Sequence, residues 1–318
     1  MKWQKLGKIF DFETSDFKDR YISHAQSPQA LVLNDRVRVF FSTRKSDQEG
    51  MFLSHVQYVD YDLDFKKIIS QSVHEVIPLG NLGCFDEHGI FPLSPVKIGS
   101  KVYGYTNGIS RRVSVAVETA VGLAISDDDG KTFKKIGDGP VLGPSTHEPF
   151  LVGDPFVRKF DDDFHIFYLY GAKWSEETKD HPSERVYKIG HAESADGISW
   201  QKTGRQLIED KIDENECQAL PTVIKIDGLY HMYFCYRHMI GFRDEPGKGY
   251  RLGSAYSSDL INWRRDDSNA GIDLSESGWD SQMMCYPNIF ECQGNVYLIY
   301  NGNDFGSDGF GLAKLIRE

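Results

Sequence analysis

The sequence predicts an all-β protein, a five-bladed β-propeller, and two observations lead to that prediction. First, a β-hairpin signature occurs five times, each with a proline near its start and a turn between two runs rich in β-branched or aromatic residues. The prolines are Pro28, Pro95, Pro155, Pro221 and Pro287, separated by 67, 60, 66 and 66 positions. A period this regular indicates an array of equivalent units. Second, helical periodicity is almost absent along the chain.

The clearest hairpin is DPFVRKFDDDFHIFYLYG, residues 154–171, which turns at three consecutive aspartates. A second motif follows the hairpins, as in GLAISDDDGKTFKKI from Gly122, GHAESADGISWQKTG from Gly190 and GSAYSSDLINWRRDD from Gly253. A looser version begins at Phe52. Each motif reads as a small-residue strand, an Asp-rich turn and an aromatic strand. Two inner and two outer strands per repeat fit the four-stranded blades of a propeller.

The two ends of the chain are expected to complete the fifth blade together. After the fifth hairpin only one further strand remains, FGLAKL at residues 310–315. The N-terminal WQKLG at Trp3 matches WQKTG at Trp200, which belongs to an outermost strand in the repeat. We therefore expect the N-terminal strand to close the ring beside the C-terminal one, which would remove two free sheet edges and make residues 1–318 one domain.

Composition narrows the class of protein. The chain has 318 residues, is 40% hydrophobic and 26% charged, and carries a net charge of −11. These values are typical of a soluble globular protein and argue against a nucleic-acid surface. No apolar run suits a signal peptide or a membrane helix, so a cytoplasmic location is the expectation, with no membrane partner.

Metal sites, cofactors and disulfides are not predicted. The five cysteines are an odd number without CxxC spacing, which indicates reduced thiols. The Asp-rich turns at residues 127–129 and 161–163 lack the spacing of EF-hand calcium loops. The sequence does not indicate the oligomeric state.

In a propeller the first strand of each blade lines the axis, so the residues before the five prolines are expected to meet at one central mouth. The candidates, in chain order, are His24, Gln26, Ser27, Asp86, Glu87, His88, His147, Glu148, Asp154, Asp213, Glu214, Glu216, Trp279, Asp280, Gln282 and Tyr286. The ends of the second strands add Arg44, Asn107, Lys173, Arg237, His238 and Asn303. Carboxylates, hydrogen-bonding groups and aromatic rings at one mouth predict a pocket for a carbohydrate substrate.

Three short motifs resemble a known group of enzymes. GDPFV at Gly153, ECQALPTV at Glu216 and FPLSPV at Phe91 are similar to the five-bladed glycosidases of glycoside hydrolase families 32, 43 and 68. The last blade, YNGNDFGSDGFGLA from Tyr300, resembles that of the family 130 mannoside phosphorylases. The resemblance to the hydrolases implies three acids: one on blade one, a tuning or stabilising Asp in an Asp-Pro motif, and a general-acid Glu on blade four.

Asp154 and Glu216 match the last two of these acids, but Ser27 stands where the family has its blade-one Asp. Glycoside hydrolysis needs a carboxylate nucleophile or a base that activates water, and a serine alone is neither. Three alternatives follow. Asp86 or Glu87 replaces the missing base; the acceptor is phosphate, or the donor a nucleotide sugar; or the propeller binds a glycan without cleaving it.

The favoured hypothesis is inverting hydrolysis of an oligosaccharide or polysaccharide precursor. Glu216 would protonate the leaving oxygen, Asp154 would hold the sugar ring or tune Glu216, and Asp86 or Glu87 would position water.

Arginines in the longer loops favour the second alternative. Arg111, Arg112, Arg237 and Arg243 fall in or beside loops at about residues 109–120, 174–188 and 239–251, which are expected to fold over the mouth as lids. Arginine there would clamp a phosphate or a nucleoside diphosphate. The competing interpretation is that these are salt-bridged surface loops.

Overall fold

The computed structural model describes residues 1–179 and 182–317. These residues form 20 β-strands and two short 3₁₀ turns, Asp267–Asn269 and Asn303–Gly306, with no α-helix among them. No helix in the described ranges is long and apolar enough to cross a membrane. The structure is therefore all-β, as the repeated hairpins predict.

The strands fall into five units, numbered here in chain order. Unit 1 contains β2 (Ser23–Val32), β3 (Val37–Ser46), β4 (Phe52–Tyr61) and β5 (Ile68–Gln71). Unit 2 contains β6 (Gly89–Ile98), β7 (Lys101–Arg111), β8 (Val117–Ser126) and β9 (Lys134–Lys135). Unit 3 contains β10 (Val152–Phe160), β11 (Asp163–Trp174), β12 (Arg185–Ser194) and β13 (Gln201–Lys202). Unit 4 contains β14 (Cys217–Ile226), β15 (Leu229–Arg237), β16 (Arg251–Ser257) and β17 (Arg264–Arg265). Unit 5 contains β18 (Cys285–Cys292), β19 (Asn295–Asn301), β20 (Gly309–Leu315) and the N-terminal β1 (Trp3–Asp11).

Within each unit neighbouring strands are antiparallel. Units 3, 4 and 5 are separate four-stranded sheets, whereas units 1 and 2 join into one sheet of eight strands. The join is a single parallel pairing of Ser54 on β4 with Gly89 on β6. It is close because a Cβ on Gly89 would lie 2.9 Å from the Ser54 side chain.

The N-terminal strand pairs with the C-terminal one, as the matching WQK motifs predict. β1 runs antiparallel to β20 from the pair Trp3–Leu315 to the pair Asp11–Gly309. The Trp3 indole N–H also donates to the Tyr233 hydroxyl at 2.9 Å, which ties β1 to unit 4. Phe10 stacks on Phe310 with ring centroids 4.9 Å apart. The two ends of the chain thus hold one sheet together.

Five apolar clusters fill the spaces between neighbouring units. They lie between units 1 and 2, 2 and 3, 3 and 4, 4 and 5, and 5 and 1. Successive side chains of a strand point to opposite faces of its sheet. Each unit therefore presents one face to each of its two neighbouring units, and both faces carry apolar residues. This two-sided burial explains why the inner strands are apolar along most of their length.

A β-bulge at an X-Pro dipeptide interrupts the innermost strand of every unit. The residues before the prolines are Ser27, Phe91, Asp154, Leu220 and Tyr286. All but Phe91 have positive φ, from 44° to 55°. The bulge proline of unit 2 is therefore Pro92. The prediction of Pro95 for this position is wrong, because Pro95 pairs with Gly104 in the regular part of the ladder. FPLSP offers two prolines, and only the strand register distinguishes them.

The three predicted lids differ in structure. Residues 109–120 lie mostly in the hairpin of β7 and β8 and form no lid. Residues 239–250 are a loop between β15 and β16. The remaining segment, residues 174–188, includes positions 180 and 181, which lie outside the described residues.

Candidate active site

Glu216, the predicted general acid, lies in a buried ion pair. The residue has no exposed surface, and its carboxylate lies 2.6 Å from Nη1 of Arg265 on β17. It also accepts the backbone N–H groups of Lys211 and Ile212 at 3.0 and 2.9 Å. Its oxygens are thus occupied by protein donors and face no open pocket.

The same arrangement occurs in three other units. In each, an acid just before the innermost strand pairs with a cation on the outermost strand: Asp86 with Lys135 at 2.5 Å, Glu148 with Lys202, and Asp280 with Lys5 at 2.7 Å. All three acids are at most 2% exposed. The cations belong to the repeated aromatic-x-cation motifs of FKK, WQK, WRR and WQK. Because the ion pair repeats in four units, we interpret it as a feature of the fold, and the catalytic roles of Glu216 and Asp86 stay predictions.

Asp154 differs from these acids in both backbone and environment. It occupies the bulge of β10 at φ 49° and is 5% exposed. The Asn107 amide lies 3.4 Å from its Oδ1. Burial raises its pKa to about 7, although the backbone N–H of Leu220 and the charge of Arg185 act in the opposite direction. Burial disfavours the charged carboxylate, so this group holds or releases a proton near neutral pH.

Tyr286 and Arg185 lie close enough to Asp154 to interact with it electrostatically, and Tyr286 belongs to a group of aromatic side chains that also holds one arginine. The ring of Tyr286, in the unit 5 bulge, lies 5.5 Å from Phe91 and 5.7 Å from Tyr250. The Tyr250 hydroxyl shares a hydrogen bond with the Tyr187 hydroxyl, which accepts from Nε of Arg237 at 3.0 Å. These phenols stay protonated, since burial raises the pKa of Tyr187 to about 12 and also raises the pKa of Tyr250 well above its ordinary value. They form a rigid, polar-edged aromatic wall.

Two arginines beside this wall form no ion pair within the described part of the chain. Arg44 lies over the ring of Phe52 at 5.1 Å, and Arg185 lies over Trp174 at 5.9 Å. Burial lowers the pKa of Arg44, and the nearby positive charge of Arg243 acts in the same direction. Arg243 itself pairs with Glu184 at 2.7 Å. A protein with a net charge of −11 therefore gathers positive charge at this position.

The loop of residues 239–250 lies between two cavities, and Asp154 is not among the residues that line either of them. One, of about 590 Å³, is lined by Glu184, Arg185 and residues 239–245. The other, of about 360 Å³, is lined by residues 242–247, Arg251, Gln282 and Phe305, among others. Phe242 lies between them and packs on the Arg237 guanidinium at 3.4 Å from the ring centroid. The first cavity is large enough for one or two sugar rings and an anion.

The predicted residues of unit 1 lie beside unit 5. His24 has φ 74°, and burial lowers its pKa to about 3, so its ring is neutral. Gln26 donates to the carbonyl oxygen of Phe305 at 2.9 Å. The Ser27 hydroxyl is buried without a hydrogen-bond partner among the described residues, while its N–H donates to Asn301 Oδ1 at 2.8 Å. Ser27 shares the bulge backbone with Asp154 but offers no acid.

Other predicted residues serve local structure or lie outside the mouth. Glu87 accepts from the N–H of Gly83 at 2.7 Å and lies 3.3 Å from His88. His147 is exposed on the surface. The N–H of His238 donates to the Lys248 carbonyl at 3.3 Å, at the base of the 239–250 loop. Of these, only His238 adjoins the arginine and tyrosine wall.

In unit 5, three of the predicted site residues, Trp279, Gln282 and Asn303, make contacts within the unit. Trp279 stacks on Tyr300 at 5.2 Å. Asn303 Oδ1 accepts the N–H groups of Gln282 and Met283 at 2.8 and 3.1 Å. Gln282 nevertheless lines the smaller cavity, whereas Trp279 and Asn303 are bound within unit 5. Tyr286, a fourth predicted residue of unit 5, is part of the aromatic wall.

The arginines of the β7–β8 hairpin are ion-paired away from the wall. Arg111 binds Asp47 at 2.6 Å, and Arg112 binds Glu118. The surface interpretation therefore holds for these two. The sequence pattern did not indicate Arg185, Tyr187 and Tyr250, because they belong to or adjoin third strands, while only inner-strand and second-strand ends were expected at the mouth. The RVY that opens β12 directly after a long loop is the signal that would have indicated two of them.

Comparisons with known proteins agree on the fold. No family model matches the chain. A solved structure described as a BT0996 RGII complex superposes with a TM-score of 0.73 at 16% identity, covering 98% of this chain and 91% of the other. A thermostable family-43 glycoside hydrolase gives 0.66 at 14% identity, covering 93% and 91%. The Bombyx mori GH32 beta-fructofuranosidase BmSUC1 gives 0.61 at 16%, covering 94% and 63%. The chain thus has the β-propeller fold of glycoside hydrolases.

Relatives found by sequence comparison are more similar to this chain than these solved structures are. A 1,2-beta-oligomannan phosphorylase from Thermoanaerobacter sp. (strain X514) is 27% identical over 153 residues, 48% of each chain. Uncharacterized protein MT1551 and Uncharacterized protein Rv1502, both from Mycobacterium tuberculosis, are 32% identical over 317 residues, 99% of each chain. At that identity and coverage, this chain belongs to the family of the two mycobacterial proteins.

Proposed function

We propose that this protein breaks a glycosidic bond with Asp154 as the general acid and phosphate as the attacking group. The observation that carries the proposal is one buried carboxyl, Asp154, with a pKa of about 7 near Arg185, which lies over the ring of Trp174 and forms no ion pair with a described residue. The other acids expected to act, Glu216 and Asp86, are held in buried ion pairs.

Phosphorolysis suits a site with one acid. Inverting hydrolysis requires a second carboxylate, roughly 6.5 to 9.5 Å from the first, to take a proton from water. Phosphate is already an anion at neutral pH and needs no base. It does need cations to hold it, and Arg44 and Arg185 are available for that.

The proposed reaction moves one proton and replaces one bond at the anomeric carbon. The Asp154 carboxyl donates its proton to the glycosidic oxygen, whose bond to the anomeric carbon breaks. A phosphate oxygen attacks the same carbon from the opposite face and forms a sugar 1-phosphate with inverted configuration. The Asp154 carboxylate then regains a proton from solvent. The wall of Tyr286, Tyr250 and Phe91 would support the sugar ring.

The relative named a phosphorylase supports this reaction class, since it aligns with about half of the chain. Hydrolysis remains the second candidate, because several structural neighbours are described as glycoside hydrolases. Transfer from a nucleotide sugar would also use the arginines, and a binding role would use only the aromatic wall.

We further propose that the five units form a closed ring of five blades. The support is the series of five apolar clusters, which returns from unit 5 to unit 1, and the pairing of β1 with β20. We place the protein in the cytoplasm, a location consistent with its five free cysteines.

The test measures sugar 1-phosphate formed from oligosaccharides, including β-1,2-linked manno-oligosaccharides, with and without phosphate. Aryl arabinofuranosides, xylosides, fructosides, mannosides and galactosides complete the panel. The variants are Asp154→Asn and Arg185→Gln, with Glu214→Gln, an acid with an 83% exposed side chain, as the matched control.

We expect the wild-type protein to cleave its substrate only with phosphate present. The rate should fall at least about a hundredfold in Asp154→Asn and should need a higher phosphate concentration in Arg185→Gln. The control Glu214→Gln should keep the wild-type rate. Cleavage that ignores phosphate but is lost in Asp154→Asn would establish hydrolysis with the same acid. Full activity in Asp154→Asn would overturn the assignment of the acid.

A further inference from the structure

A third cavity lies toward the turn ends of the innermost strands. It has a volume of about 400 Å³ and is lined by three residues from each of the five strands, at 30–32, 95–97, 158–160, 223–225 and 289–291. These residues come just before the hairpin turns, whereas Ser27, Asp154 and Tyr286 lie three or four positions earlier, at the bulges. We call it the turn-side cavity.

Arg158 reaches this cavity without a carboxylate partner. Its Nη1 donates to the carbonyl oxygens of Pro95 and Val157 at 3.3 and 2.8 Å, and its guanidinium lies over the ring of Phe156 at 4.3 Å. It forms no ion pair with any described residue, and burial lowers its pKa to about 10. The guanidinium is therefore still charged at neutral pH, with Nε and Nη2 left for a ligand.

The charged residues that line the turn-side cavity are mainly cations. Lys159 lies over the ring of Phe164 at 5.8 Å, and Lys225 lies 3.2 Å from the hydroxyl of Tyr230. Lys97 is paired with Asp129 at 3.1 Å. Glu291 is the one carboxylate among the lining residues, compared with four cations, Arg158 and these three lysines. The local charge is positive although the protein as a whole carries −11.

The rest of the lining is apolar, and its partly exposed members are Val32, Phe160 and Ile224. An inorganic anion would satisfy the guanidinium but would leave this surface in contact with water. An organic anion with a compact apolar body would satisfy both parts of the lining.

We propose that the turn-side cavity is a binding site for an organic oxyanion, a carboxylate or a phosphate carried on a compact apolar group, with Arg158 as its bidentate partner. The oxyanion would lie in the plane of the guanidinium, because two parallel N–H···O bonds are the favoured geometry. The site is separate from Asp154 and does not depend on the proposed reaction.

Calorimetric titration of the full-length protein with benzoate and with phenyl phosphate tests the site. We expect saturable binding of at least one probe, weakened at least about tenfold in Arg158→Gln and unchanged in Arg185→Gln, whose arginine lies at the mouth. The stronger probe identifies the carboxylate or the phosphate as the preferred source. Arg158→Lys, which keeps the charge but loses the fork, is expected to bind with intermediate affinity.

A second measurement does not depend on how the variants fold. Crystals of the wild-type protein soaked in 4-bromobenzoate are expected to show bromine between the five inner strands. Absence of binding up to about 10 mM, equal affinity in Arg158→Gln, or bromine only at the mouth would each overturn the proposal.

Discussion

At the scale of single residues, the properties of Asp154 depend on both its backbone position and its environment. Ser27, Leu220 and Tyr286 share its left-handed bulge conformation, which Asp adopts more readily than Leu or Tyr. Only Asp154 among them carries an ionisable carboxyl. Its raised pKa comes from burial between units, which no residue next to it in the chain determines.

The titration of Asp154 predicts how stability depends on pH. Its folded-state pKa of about 7 lies above the ordinary value of 3.8, so the protonated form favours folding. That contribution is complete below pH 4 and is lost as the pH rises through about 7. Asp154→Asn removes this loss, which is on the order of 4 kcal/mol because one pKa unit corresponds to about 1.4 kcal/mol.

Thermal melts of wild type and Asp154→Asn at pH 5 and pH 8 check this prediction. We expect the variant to be the more stable protein at pH 8 and the difference to shrink at pH 5. A difference that does not change with pH would show that the carboxyl is ionised in the folded protein throughout this range.

At the scale of elements, the acid–cation pairs explain how very short outer strands stay in place. β9, β13 and β17 have two residues each, too few for their ladder hydrogen bonds to hold them alone. Lys135, Lys202 and Arg265 each anchor one of these strands to the acid at the start of the innermost strand. The pair therefore spans the width of the unit.

We expect Glu216→Gln to destabilise the protein by about 3 kcal/mol, because Arg265 would lose its main partner in a buried site. Asp267, 3.0 Å from Arg265, limits the loss. Glu214→Gln is the matched control and should change stability by less than about 0.5 kcal/mol. Chemical denaturation measures both. If Glu216→Gln abolished turnover while leaving stability intact, Glu216 would return as the candidate general acid.

At the scale of the whole molecule, β1 is the element on which the proposed closure of the ring depends. It carries Trp3 and Phe10, which are 7% and 2% exposed, and it supplies Lys5 to Asp280. Without β1, unit 5 would lose its outermost strand and two apolar clusters would lose side chains.

Deletion of residues 1–12 is therefore expected to lower the melting temperature by at least about 10 °C. Leu6→Ala, at a position 44% exposed on the same strand, serves as a control and should melt within about 2 °C of wild type. An unchanged melting temperature for the deletion would contradict the role of β1 in closing the ring.

Charge is also arranged at the scale of the whole molecule. Arginines without a carboxylate partner in the described residues occur at both ends of the innermost strands, Arg44 and Arg185 at the mouth and Arg158 at the turn-side cavity. The excess of acids lies elsewhere, in exposed turns and in buried pairs. This separation of charge supports the two proposed anion sites in a protein that is acidic as a whole.

The repeat, the hairpins and the partnership of the chain ends could be predicted from the sequence, because alternating apolar strands and X-Pro bulges are local patterns that recur with a fixed period. The same patterns selected Asp154 and Tyr286. The roles of the other acids depend on tertiary packing. Glu216 and Asp86 look like site acids along the chain, yet Arg265 and Lys135, 49 residues beyond each, neutralise them in space. Arg185 and Tyr187 belong to a third strand, and their place beside Asp154 follows from how the units pack, since the energy of a buried charge depends on every neighbour around it and not on the residues adjacent in sequence.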